Sequence, residues 1–254
     1  MQPIIFAAQE QIMRKLFLLV VAFGATLSAF SQEIPPSSKK KFELGNRPGD
    51  HIMVQLAMNS WQGAPDSIAS HISGFQRSAN VYVMLDKPFT GNPRFSLGIG
   101  VGVGTSNIYF KKMTVGIGAT TPLLPFIATD SVNNFKKYKL ATAYLEAPLE
   151  LRFSNDPENP GKSIKGAVGI KIGTLINAHT KGKILRDRAG NTINSNTEKI
   201  GSKSYFNSTR LAATARVGYG AFTLFGAYNL TGMFKDGVAE DIKLLQVGIT
   251  LSGL

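Results

Sequence analysis

The chain has 254 residues, 43% hydrophobic and 17% charged, and it contains no cysteine. That is enough for one large domain or two small ones, and it excludes a disulfide framework, a thiolate metal site and a cysteine nucleophile. The formal net charge of +12 suits either nucleic acid or lipid phosphate, so the placement of the charges must decide between them.

In chain order, Arg14 and Lys15 precede the uncharged run LFLLVVAFGATLSAF from Leu16 to Phe30, and Ala29-Phe30-Ser31 sets small residues before Gln32. This is the order of a secretory signal peptide, in a run too short for a transmembrane helix. The segment 1–31 is therefore expected to be a signal, with 1–12 a spurious extension if Met13 is the true start. Residues 32–50, polar with proline and lysine, are expected to be a flexible periplasmic lead-in.

From 51 to 254 an apolar alternation of period two recurs. The first strand, IMVQLAMNSW, sets Ile52, Val54, Leu56 and Met58 on one face, and the second, NVYVMLD, sets Val81, Val83 and Leu85. The third, RFSLGIGVGVGTSNIYF, alternates Phe95, Leu97, Ile99, Val101 and Val103 with Gly98, Gly100, Gly102 and Gly104. A dinucleotide fingerprint needs G-x-G-x-x-G, and Val103 or Thr105 stands where its third glycine should be. This is a strand with one nearly bare face.

The fourth strand, ATAYLEAPLELRF, opposes Leu145, Leu149, Leu151 and Phe153 to Tyr144, Glu146, Glu150 and Arg152. The fifth, IKGAVGIKIGTLI, opposes Val168, Ile170 and Ile172 to Gly169, Lys171 and Gly173. RLAATARVGY, AFTLFGAYNL and LLQVGITLSGL complete the set, the seventh apolar on both faces.

The joins alternate in length. Long ones cover roughly 61–78, 105–138, 176–206 and 231–241, and short ones are KPFTGNP, SNDPENPGKS and GYGA. The expected fold is all-β, an eight-stranded antiparallel up-and-down transmembrane β-barrel with short periplasmic turns and long extracellular loops. Two aromatic girdles are expected: Trp61, Tyr109, Tyr138, Tyr205, Phe206 and Phe234 toward the long loops, and Phe89, Phe95, Phe153, Tyr219 and Phe222 toward the short turns. The rival is a secreted soluble lipocalin-like barrel, which would turn the apolar face inward around a ligand.

AYLEAPLELRF, GYGAFTLFGAYNLTGMFK and the closing QVGITLSGL resemble motifs of the PorT-like small outer-membrane β-barrel family, over roughly residues 50–254. The resemblance implies an eight-stranded outer-membrane barrel without a catalytic site, and an association with type IX protein secretion.

If apolar faces look outward, Gln55, Asn59, Glu146, Glu150, Arg152, Lys171, Arg210 and Arg216 face the lumen. In a barrel only wide enough for its own side chains, the six ionised ones are expected to pair as a lumen ion network and to act as a plug. A glycosidase reading of Glu146 and Glu150 yields to that structural role. Ser70, His71 and Asp66 in the first loop, with His179 in the third, lack catalytic or metal spacing. The sequence therefore reads as non-enzymatic, without cofactor or metal, and the alternative function is a narrow uptake channel.

Lys111, Lys112, Lys136, Lys137, Lys181, Lys183, Arg186 and Arg188 crowd the second and third long loops. They are expected to contact outer-leaflet lipopolysaccharide phosphate, which leaves nucleic acid without a role. The uncharged stretch MTVGIGATTPLLPFIAT, 113–129, is expected either to fold over the barrel mouth or to offer Leu123, Leu124, Phe126 and Ile127 to another envelope protein.

Overall fold

The computed structural model describes residues 52–130 and 132–252. The expected signal and lead-in lie outside the described residues.

Eleven strands follow in chain order: β1 (Ile52–Gln62), β2 (Arg77–Pro88), β3 (Phe95–Phe110), β4 (Met113–Val115), β5 (Phe126–Ala128), β6 (Asn134–Ser154), β7 (Ile164–Arg186), β8 (Thr192–Gly201), β9 (Thr209–Tyr219), β10 (Phe222–Asn229) and β11 (Lys243–Ser252). A short helix α1 (Asp66–Ala69) sits in the first long connection. The hydrogen-bonded order is β6-β3-β2-β1-β11-β10-β9-β7, and β6 pairs back onto β7, so eight antiparallel strands close a barrel with no free edge. Each of these strands neighbours its sequence neighbours, and β1 meets β11, as in an up-and-down meander.

The alternation read from the sequence turns its apolar side out. Leu56, Val83, Ile99, Leu145, Ile172, Val217, Leu224 and Ile249 are all exposed, while Gln55, Asn80, Glu146, Lys171, Arg210 and Gln246 are buried between them. A soluble lipocalin-like barrel needs the reverse arrangement. An apolar belt around a polar interior is what a barrel in hydrocarbon presents. Phe89, Phe95, Phe153, Tyr219 and Phe222 are exposed at the lower edge of the belt, as expected of a girdle, and the Phe95 and Phe153 rings lie 5.3 Å apart.

Above the belt the same strands continue with inverted polarity. In β3, Thr105, Asn107 and Tyr109 point outward while Ser106, Ile108 and Phe110 are buried. In β6, Lys137 and Lys139 point outward while Tyr138 and Leu140 are buried. The outside there is water, and the inside is an apolar core.

This inversion corrects two expectations. The second and third long connections are largely strand, because β3, β6 and β7 run beyond the belt and β8 pairs with the top of β7; the sequence reading stopped each strand where its outward apolar face ended. The upper girdle is not a girdle either. Trp61, Tyr138, Tyr205, Phe206 and Phe234 are buried in the mouth, and of that set only Tyr109 points outward.

The strand β7 changes face as well as polarity. Tyr144 pairs with Leu175 but Ala143 pairs with Asn177, which leaves Ile176 as an extra residue. Below this bulge the even residues Ile170 and Ile172 point outward, and above it the odd residues Lys181 and Lys183 do.

Candidate functional site

The lower lumen holds the ionised side chains. Glu146 pairs with Arg210, accepts a 2.5 Å hydrogen bond from the Tyr82 hydroxyl and lies 3.5 Å from the Lys171 ammonium. Glu150 accepts from Arg152 at 2.9 Å and from Arg216 at 3.0 Å, and Arg152 also reaches Asp86 at 3.5 Å. Arg210 stacks on the Tyr144 ring at 4.0 Å. All six residues singled out from the sequence thus lie buried in the lumen in two ion-paired groups, one joined by Tyr82 and the other by Asp86 at its exposed edge. The sequence carried a signal for those two, since both share the lumen parity of β2.

The glycines make room for the carboxylates. Glu146 pairs across to Gly102 and Gly173, and Glu150 to Gly98 and Gly169. A Cβ on Gly98 would overlap the Arg152 guanidinium, and one on Gly104 the Glu146 carboxylate. The bare face of β3 therefore looks onto the charges of β6. Beside these groups, Asn59, Ser78 and Gln246 hydrogen-bond to one another, with Gln246 Nε2 2.7 Å from Ser78 Oγ, and Asn80 donates to Gln55 Oε1 at 3.2 Å.

The mouth is closed by apolar packing. Ile68 from the first connection, Met113, Val115, Ile117 and Leu124 from the second, Tyr205 and Phe206 from the third, and Met233, Phe234 and Ile242 from the fourth form one buried cluster with Trp61 and Leu244. The Tyr138 hydroxyl donates to the Val115 carbonyl and accepts from its amide, each at 3.0 Å, which fixes β4 to the wall. The Leu124 amide donates to the Val238 carbonyl at 2.8 Å. Segment 113–129 is thus folded over the mouth. Leu124 is core rather than patch, and Phe126 packs edge-on against Phe234 with centroids 6.1 Å apart. Leu123 and Ile127 remain exposed.

His71 meets Asp130 rather than Asp66, with Nε2 3.2 Å from the carboxylate, while Lys112 approaches the same group at 3.5 Å. The hydrogen bond from His71, then Lys112, holds the Asp130 carboxyl below its ordinary value. His71 Nδ1 lies 3.0 Å from the Ser67 carbonyl and 3.2 Å from Ser70 Oγ. His179 Nδ1 lies 2.8 Å from Asn177 Oδ1, on the outer wall.

The eight loop cations divide. Lys137, Lys181 and Lys183 stand on the outer wall above the belt, Lys112 is drawn to Asp130, and Arg188 lies in the turn after β7. Lys111 and Lys136 are exposed away from that wall row, and Arg186 is partly buried at the end of β7. Lys139 and Lys199, which the sequence reading left out of this set, join the wall, since β6 aligns Lys139 with Lys181 and β8 aligns Lys199 with it from the other side.

The sequence matches the family described as outer membrane protein beta-barrel domain over residues 8–235. The chain belongs to that family. Membership agrees with the closed barrel and its apolar belt, and places this outer-membrane barrel in the membrane that the belt requires. No curated protein matches the sequence.

Proposed function

We propose that this outer-membrane barrel is a non-conducting, non-enzymatic element with a structural and interaction role. The observation that carries the reading is that the bore is occupied at two levels: the paired charges of Glu146, Glu150, Arg152, Lys171, Arg210 and Arg216 below, and the apolar cluster around Trp61 and Phe234 above. A conducting path would need to part both. Purified protein in planar bilayers is expected to give no stepwise current. Reproducible open-channel currents would replace this reading with the narrow uptake channel.

Export by the 1–31 signal belongs to the same proposal, as does contact of the basic loops with lipopolysaccharide. The interaction role we infer is an accessory part in type IX-like protein secretion, which the PorT-like motifs imply, with exposed Leu123 and Ile127 available to an envelope partner. Deleting the gene is expected to lower secretion of type IX cargo. Unchanged secretion would remove that role and leave the scaffold.

A further inference from the structure

The basic side chains on the outer wall fall into rows. Strand pairing sets Tyr109, Lys139, Lys181 and Lys199 side by side across β3, β6, β7 and β8. One step higher, Lys137 stands opposite Lys183, and one step lower the row runs Arg77, Asn107, Ala141 and His179. Directly opposed like charges on one sheet face destabilise a sheet, yet here the same sign is opposed in two rows. Among the described residues no carboxylate lies within ion-pair distance of Lys137, Lys139, Lys181, Lys183 or Lys199.

Part of the row is also held in place. The Lys139 ammonium donates to Asn107 Oδ1 at 2.6 Å and lies 6.0 Å from the Tyr109 ring centre, while the Arg77 guanidinium lies 5.7 Å from the same ring. Arg77 also caps Phe75, an exposed aromatic next to the belt residue Met58, which pairs with Arg77. Lys139 stands above Leu145, the uppermost exposed leucine of β6, so the row lies on the water side of the apolar belt, where lipid headgroups begin.

We propose that Lys139, Lys181 and Lys199, flanked by Lys137, Lys183 and the Arg77–Tyr109 pair, form a discrete site for a phosphorylated glycolipid headgroup of the outer leaflet. The paired rows match a headgroup with two phosphomonoesters, each phosphate bridging lysines that would otherwise repel. The site deepens the loop–lipid contact described above and rests on that reading, with the long connections on the outer side. It differs in locating the contact on strand rather than on loop.

The test uses the full chain, refolded in detergent, with binding of diphosphorylated lipid A read by native mass spectrometry. A near-surface cation contributes roughly a fivefold factor to binding of anionic lipid. The triple variant Lys139→Gln, Lys181→Gln, Lys199→Gln is therefore expected to bind about a hundredfold more weakly. Lys87→Gln, Arg94→Gln, Lys162→Gln removes the same charge from the exposed short-turn end of the barrel and is expected to stay within about threefold of the unaltered barrel. Equal loss in both variants would mean a diffuse field and overturn the site, as would unchanged binding in the first.

Monophosphorylated lipid A is expected to bind at least tenfold more weakly, and equal binding would overturn the two-phosphate match. Millimolar inorganic phosphate is expected not to displace the lipid, and displacement would reassign the site to free phosphate. Heat-modifiable migration confirms folding of each variant before binding is read. Bilayer currents from a barrel that still binds lipid A would sink the non-conducting reading and leave the site standing.

Discussion

Replacing Glu146 by glutamine keeps the shape of the side chain and removes one buried charge. Glu146 is 1% exposed and receives Arg210, the Tyr82 hydroxyl and, at 3.5 Å, Lys171. Breaking a buried ion pair from one side costs about 3–5 kcal/mol, because the remaining charge keeps its desolvation penalty. Arg210 retains its stack on Tyr144, which recovers about 1 kcal/mol. A net loss of about 3 kcal/mol is expected, more than a hundredfold in the unfolding equilibrium. Adding Lys171→Met to Glu146→Gln deletes one of the orphaned cations and is expected to return at least about 1 kcal/mol. Urea titration in lipid vesicles reads both variants, and the single tryptophan, Trp61, reports from the mouth. A loss below about 1 kcal/mol, with no recovery in the double variant, would mean that water already screens the network. The lumen would then be wet, and the plugged reading would fall with it.

Three further outcomes follow from the packing. Leu124→Ala opens the mouth cluster and is expected to cost about 3 kcal/mol, whereas exposed Leu123→Ala stays within about 0.5 kcal/mol; chemical denaturation compares them, and equal costs would refute the assignment of Leu124 to the core. Gly104→Ala drives a methyl into the Glu146 carboxylate and is expected to cost about 1–3 kcal/mol, seen as a lower unfolding midpoint; a neutral result would show that β6 shifts freely. The Asp130 carboxyl is held below its ordinary value by His71 and Lys112, so its contribution is present above that value and lost as pH falls through the depressed one. Protease cleavage in the first connection is therefore expected to rise below about pH 4. In Asp130→Asn it should be raised at all pH values and lose that step.

The closed barrel was legible because β strands in a bilayer obey one rule: apolar out, small or charged in. Glu146, Glu150 and the β3 glycines declared the lumen face through parity, and strand order then brought them together. The upper half was not legible for the same reason. Tyr138, Leu140, Ile108 and Phe110 continue the period of their strands, but with the reverse preference, so they read as loop residues and girdle aromatics. The choice for segment 113–129 between cap and docking patch depended on whether Leu124 had somewhere to go, and the receiving surface comes from Phe234, Ile242 and Trp61, far away in sequence. Likewise, the alignment of Lys139 with Lys181 and Lys199 needs the pairing of three strands, which no single segment contains.

The extra residue at Ile176 bears on how such a wall stays in register. Threaded through a regular strand with no bulge, the same sequence would aim Asn177, His179, Lys181 and Lys183 into the mouth and turn Ala178, Thr180 and Gly182 outward. The strands β3 and β6 pass from oil to water without any insertion, by composition alone. The bulge therefore does not set the waterline; it keeps the upper part of β7 in step with its neighbours. Deleting Ile176 would straighten the strand and leave every side chain above it on its present face, so this wall tolerates the loss of one residue at that point and at no other along β7.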